Sequence, residues 1–277
     1  MLNTDQLMEV ANDLAGFSET PADSRIFVPG ENIRRVLIGI DINAGHLLAA
    51  QQLGYDAVIA HHPYDRGLVS WSVYLRHLTF LQKHGVPQAE AEQAVMPRVE
   101  SLKLAAHPVN YDELPSLARL LRLPFLNVHC PCDELGRQAM QLAVDVTLKE
   151  QPQATVQQVA DALFASYAEF GLAEAKMQVM LGDAEAAAGN VVVAHGCYTN
   201  GGAAVAEAYF RHGVDTLIYI HIMPEELAKL RQANLHGRQL LVVGHLAADS
   251  IGINAYSREL RQRGLEVTPT SGVLEQL

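Results

Sequence analysis

Histidine recurs in this chain at one kind of place, a residue or two beyond a short apolar run. His61 and His62 follow DAVIA, His107 follows KLAA, His129 follows FLNV, His195 follows VVVA, His221 follows LIYI and His245 follows LVVG. In α/β proteins ligands bind at the carboxyl ends of parallel strands, and neutral imidazole is the commonest metal-ligating side chain. Carboxylates accompany some of these histidines, so the chemistry to expect first is that of a divalent metal centre.

Three segments carry it. His61-His62-Pro63 places two imidazoles in succession. Neighbouring side chains on a regular strand point to opposite faces, so both reach one cleft only where the strand is ending; the alternative is one core histidine beside one exposed one. His129-Cys130-Pro131-Cys132-Asp133 sets a histidine and a carboxylate four residues apart, and a carboxylate bridges two ions through its two oxygens. Cys-x-Cys without a second pair is a weak zinc signature, so Cys130 and Cys132 are expected to be buried thiols. Gly244-His245-Leu246-Ala247-Ala248-Asp249 repeats the four-residue spacing; Asp249 is a candidate ligand and equally a candidate N-cap of the final helix. His107, His195 and His221 are candidates to move a proton near pH 7. Gly201-Gly202, ahead of a helix, would let backbone amides approach a phosphate or carboxylate.

The elements that must position these residues read as α/β. The expected order is a helix over 1–14 capped by Thr4, an irregular stretch over 16–34, strand 35–42, helix 47–53 and strand 57–60. Mostly helix follows over 66–104, then helix 114–121, strand 124–128 and helices 135–147 and 155–167. Thr155 with Gln158 forms a capping box for the last of these. The chain closes with strand 240–243 and a helix over about 250–263. The block VLIGIDINAG, LLAAQQLG, YDAVIAHHP recurs as VVVAHGCYTNGG, AAVAEAYFRHG, VDTLIYIHIMP. Gly54 matches Gly213, Asp56 matches Asp215, and His62 matches His221. The expectation is therefore two similar α/β halves, a pseudo-repeat, with the cleft between them. The halves divide into 1–150, with the His-His and His-x-x-x-Asp segments, and 151–277, with the Gly-His-x-x-x-Asp segment.

Bulk properties narrow the class. A net charge of −11 disfavours a nucleic-acid binder, and Arg258, Arg261 and Arg263 beside Glu259 read as a solvated helix face. Apolar runs fall short of the roughly eighteen residues that span a bilayer. Three cysteines give no even disulfide framework, and a cytoplasmic protein without membrane partners is the expectation.

In order and spacing the three segments resemble the Nif-three-like family of dinuclear-metal-centre proteins, often labelled type two GTP cyclohydrolase I. The resemblance covers about residues 35–265. It implies two metal ions held by His61, His62, Asp133, His245 and Asp249 with His129 beside them, and a toroidal homohexamer. Two departures stand out: the final acid, commonly glutamate, is Asp249, and Tyr219-Ile220-His221 replaces a Thr-Gly-Glu-like strand end. The function expected is hydrolysis of a small, nucleotide-like or heterocyclic substrate by two ions of zinc, iron, manganese or cobalt. The alternative is a non-catalytic metal-binding scaffold, chaperone or regulator.

Overall fold

A computed structural model describes residues 1–64, 70–195 and 200–275. Cys197, Thr199 and the start of the helical stretch expected from 66 lie outside the described residues. Two sheets organise the chain. The first holds β1 (Arg25–Val28), β2 (Arg35–Gly39), β3 (Ala57–Ala60), β4 (Phe125–Asn127) and β9 (Glu266–Thr270), in the order β1-β4-β3-β2-β9. The second holds β5 (Gln178–Leu181), β6 (Val191–Val193), β7 (Thr216–Tyr219) and β8 (Gln239–Val242), in the order β5-β8-β7-β6. Within each, the first edge strand is antiparallel and the remaining pairs are parallel.

Each sheet is buried on both faces, which is why its central strands read as unbroken apolar runs. In the first, Val36, Ile38, Ala57, Ile59 and Leu126 face one cluster, while Leu37, Val58, Ala60 and Phe125 face another. The former packs on α1 (Thr4–Ala15) and α12 (His245–Gln262), the latter on α2 (Ala44–Gln52) and α6 (Glu113–Leu121). The second sheet alternates likewise. Val192, Leu217, Tyr219 and Leu240 meet α10 (Gly202–Arg211), α11 (Pro224–Gln232) and the insert α3 (Ser70–Tyr74), α4 (Arg76–Lys83) and α5 (Gln88–Ala106). Val191, Val193, Ile218 and Leu241 meet α7 (Cys130–Glu150), α8 (Val156–Ser166), α9 (Ala168–Leu172) and again α12. Helices α7 and α12 thus contribute to the cores of both sheets and form the layer between them.

The pseudo-repeat is real at the level of hydrogen bonds. Asp56 accepts from the amides of Arg34 and Arg35 at the start of β2, and Asp215 accepts from the amide of Asn190 at the start of β6. Gly54 (φ 73°) and Gly213 (φ 91°) make the left-handed turns before them. β9 departs from the repeat by crossing back to pair with β2.

Several elements differ from expectation. Asn3, not Thr4, caps α1. β1, β5 and β9 emerge from stretches without strand signals, because edge strands are short and only half buried; Pro269 fits because β9 is an edge. α7 begins at Cys130 rather than 135, since Pro131 falls in the first turn, where its missing N–H is no loss. α12 begins at His245, so Asp249 lies one turn inside the helix instead of capping it. KLAAHP is the end of a helix, not of a strand, so His107 caps α5.

Candidate metal centre

The ends of six strands and the first turns of α7 and α12 meet between the sheets. Backbone pairing continues past β3, with His61 and His62 amides donating to Gly39 and Ile40 carbonyls, so both imidazoles stand where the strand runs out. β4 leads straight into α7, whose N-cap is His129, with Asp133 one turn on. β8 leads through Gly244 into α12, which starts at His245 with Asp249 one turn on. Gly244 has φ 102° and its Cβ would press on the Ala175 carbonyl at 3.3 Å, so this turn requires glycine.

The expected ligands converge. Donor atoms of His61, His62 and His129, of His62, His245 and Asp249, and of His61, Asp133 and Asp249 form three overlapping groups, with atoms within 4.8 Å of one another in each. His61 Nε2 lies 3.1 Å from Asp133 Oδ1 and 3.6 Å from Asp249 Oδ2. His245 Nε2 and His62 Nε2 lie 2.9 and 3.5 Å from Asp249 Oδ2, and His129 Nε2 lies 3.5 Å from Asp133 Oδ2. His61, His129, Asp133 and Asp249 are buried, whereas the side chains of His62 and His245 are 23% and 39% exposed, so the cluster opens to solvent on their side.

The far nitrogen of each first-sheet imidazole is anchored to an acceptor. His61 Nδ1 lies 3.1 Å from the Val128 carbonyl, His62 Nδ1 2.8 Å from Asp41 Oδ1 and His129 Nδ1 2.5 Å from Asp23 Oδ2. A carbonyl can only accept, so Nδ1 of His61 donates to Val128 and Nε2 faces two carboxylates. That Nε2 is buried without a hydrogen-bond partner. A cation between that nitrogen and the two carboxylates would satisfy all three groups. This anchored-imidazole arrangement is the one that orients metal-bound histidines, and the donor set fits a divalent ion.

The acids and imidazoles shift one another. Burial would raise the Asp133 carboxyl, but His129, His195 and His61 outweigh it and hold the group well below the usual range. Asp249 is likewise depressed against its burial, chiefly by His61 and His245. Burial would lower His129, yet Asp133 and Asp23 raise it to about 9. His245 is raised against burial by Asp249.

The three proton-shuttle candidates separate. His195 is buried with Nε2 towards both carboxylates, and burial lowers its pKa. His221 lies against His245 with ring centroids 5.0 Å apart and the rings tilted by 59°, and has the Asn200 amide 3.2 Å from Nδ1. Burial and His245 push it down to about 4, so the ring is neutral at pH 7. His107 is exposed at its helix end and joins none of the groups above.

The cysteines divide as well. Cys132 is a buried free thiol whose pKa burial and the neighbouring Asp133 push well up, and it joins none of the three donor groups. Cys130 departs from the expected free thiol: it is disulfide-bonded. At Gly201-Gly202 the anion facing the helix start is internal, since Glu226 Oε2 accepts from the Ala203 amide at 2.8 Å. Arg263 pairs with Glu259 on the exposed side of α12, whereas Arg261 is partly buried and ties the helix to Glu275 and the Val267 carbonyl, so it departs from the expected solvated face.

Sequence reading missed Asp23 and Asp41, which belong to no motif. It also missed Gly136 and Gly252, which extend both metal segments to His-x-x-x-Asp-x-x-Gly and were visible as a repeat.

No family model matches this sequence, and no curated protein does. Solved structures do. A NIF3 superfamily protein from Sphaerobacter thermophilus shares 42% identity over 98% of each chain, with a TM-score of 0.92. Reduced HcgD from Methanocaldococcus jannaschii (10% identity, 97% of this chain and 98% of that one, TM-score 0.58) shares the fold. So does a Bacillus cereus protein related to NIF3 (11%, 99% and 98%, TM-score 0.53). With a near-complete relative at that identity, and the His-His and two His-x-x-x-Asp segments gathered in one cleft, this chain belongs to the NIF3 superfamily.

Proposed function

We propose that the protein is a metal-dependent hydrolase holding two divalent ions between its sheets and acting on a small phosphate-bearing or heterocyclic molecule. The observation that carries this reading is the buried His61 Nε2, which has no hydrogen-bond partner and faces the carboxylates of Asp133 and Asp249. His61, Asp133 and Asp249 would hold an inner ion, and His62, His245 and Asp249 an outer one, with His129 alongside. A bound pair of divalent ions supplies Lewis acidity and a water acidified towards neutrality.

The chain's own residues supply the rest. Val128, Asp41 and Asp23 fix the imidazole planes. Buried walls exclude water from the inner side, while the opening past His62 and His245 admits a substrate. His221 lines that opening beside His245, with a ring that is neutral at pH 7. Mixed imidazole and carboxylate donors suit zinc, iron, manganese or cobalt. On an acidic chain, the ions would provide the positive charge that an anionic substrate needs.

Purified protein is expected to carry about two metal equivalents per chain by elemental analysis. The loaded protein should hydrolyse a member of a panel of nucleotides, phosphoesters and cyclic amides, and Asp133→Ala should lose both metal and hydrolysis. Activity surviving Asp133→Ala would remove the metal from the mechanism. Two retained equivalents with no turnover across the panel would favour a metal carrier or scaffold instead.

A further inference from the structure

We infer that His195 is a ligand of the inner ion, and that it closes the inner position while the outer one stays open to exchange. The inference rests on the metal reading above and adds to it a residue and a difference in lability between the two positions.

His195 follows β6 and is only 1% exposed. Its Nε2 is buried without a hydrogen-bond partner. That nitrogen faces both carboxylates, 4.0 Å from Asp133 Oδ1 and 3.8 Å from Asp249 Oδ1. Both separations exceed a hydrogen bond, yet they suit two donors of one ion: ligand atoms each about 2.0–2.2 Å from a metal stand roughly 3–4 Å apart. His61 Nε2 approaches the same Asp133 oxygen to 3.1 Å. His61 and His195 thus have Asp133 Oδ1 as a common neighbour, and Asp249 faces His195 with Oδ1 and His61 with Oδ2, so four buried side chains offer the four donors that a closed site uses. Asp249 Oδ2, 3.6 Å from His61 Nε2, also faces His62 and His245, the two partly exposed histidines.

The fold itself has no need of an imidazole here. Val191 pairs with Thr216 in the second sheet as Val36 pairs with Ala57 in the first, so His195 occupies the place that Ile40 fills in the other half. Ile40 is fully buried in an apolar cluster. A side chain of that kind completes the packing, whereas a buried imidazole nitrogen without a partner is costly unless something binds it.

A chelator challenge reads the two positions separately. Zinc-loaded native protein dialysed against EDTA is expected to release one equivalent quickly and the other slowly. In His195→Ala the slow equivalent should leave with the fast one, an acceleration beyond the roughly 10–100-fold that losing an outer-shell partner costs. His245→Ala should abolish only the fast equivalent. Unchanged slow release from folded His195→Ala overturns the inference. Should the variant fail to fold, native crystals decide: zinc anomalous scattering should place an ion about 2.0–2.1 Å from His195 Nε2. An ion on Asp133 but more than about 3 Å from that nitrogen overturns the inference and leaves the metal reading intact. Native protein that holds no zinc overturns both.

Discussion

At the scale of single residues, the His/Asp cluster depends on groups that lie outside it. Asp23 is fully buried, with Oδ2 2.5 Å from His129 Nδ1, and removing one member of a buried pair costs about 3–5 kcal/mol. The pair also dictates a pH dependence. His129 titrates at about 9 in the folded chain, above its ordinary value of 6.5. A raised imidazole stabilises fully below the unfolded value and loses that stabilisation as pH rises through the folded one. Metal-free protein is therefore expected to lose stability between about pH 6.5 and 9 in urea titrations, and Asp23→Asn to be less stable with a shallower slope. An unchanged slope would mean that Asp133 alone holds the proton on His129.

At the scale of elements, one helix crossing sets the distance between the two carboxylates. Asp133 and Asp249 each precede a glycine by three residues. At Gly252 a Cβ would fall 1.8 Å from the Cys132 carbonyl oxygen and 3.1 Å from the Gly136 nitrogen. Both contacts are with backbone, which cannot swing aside as a flexible side chain can, so α7 and α12 touch main chain to main chain. A methyl at 252 must push the helices apart, and with them the two aspartates. Gly252→Ala is expected to cost about 1–3 kcal/mol in thermal unfolding, the range for overpacking. It should also lower the metal content by elemental analysis although no ligand is altered. Full metal retention would show that the crossing does not govern the carboxylate spacing.

At the scale of the whole molecule, the halves interlock. The chain leaves the second sheet through α12, which packs on both cores, and ends by adding β9 to the first. The insert α3–α5 leaves the first half to cover the second sheet. Neither half keeps its core without segments from the other, so metal-free protein is expected to unfold in one transition. Trp71, the single tryptophan, packs against the second-sheet core. Its fluorescence and the far-ultraviolet circular dichroism should share one midpoint in urea; two midpoints would mean that the halves unfold separately. Among the described residues no helix is long and apolar enough to cross a membrane.

The sequence by itself determined what repeats locally. Apolar runs ending in histidine, the paired His-x-x-x-Asp spacing, and the Gly-x-Asp turns that cap β2 and β6 are short-range patterns. Each could be read because backbone geometry fixes its meaning within a few residues. His107 shows the limit of that logic, since a short apolar run before a histidine ends a helix as readily as a strand. Only the tertiary structure decided which distant groups meet. Asp23 lies 106 residues before His129. His195 reaches Asp133 and Asp249 because α7 and α12 cross between two sheets. The edge strands β1, β5 and β9 take their identity from the neighbours they pair with. Pairings across such separations leave no local period in the chain, and the packing of both sheets on one shared helical layer is what creates the centre.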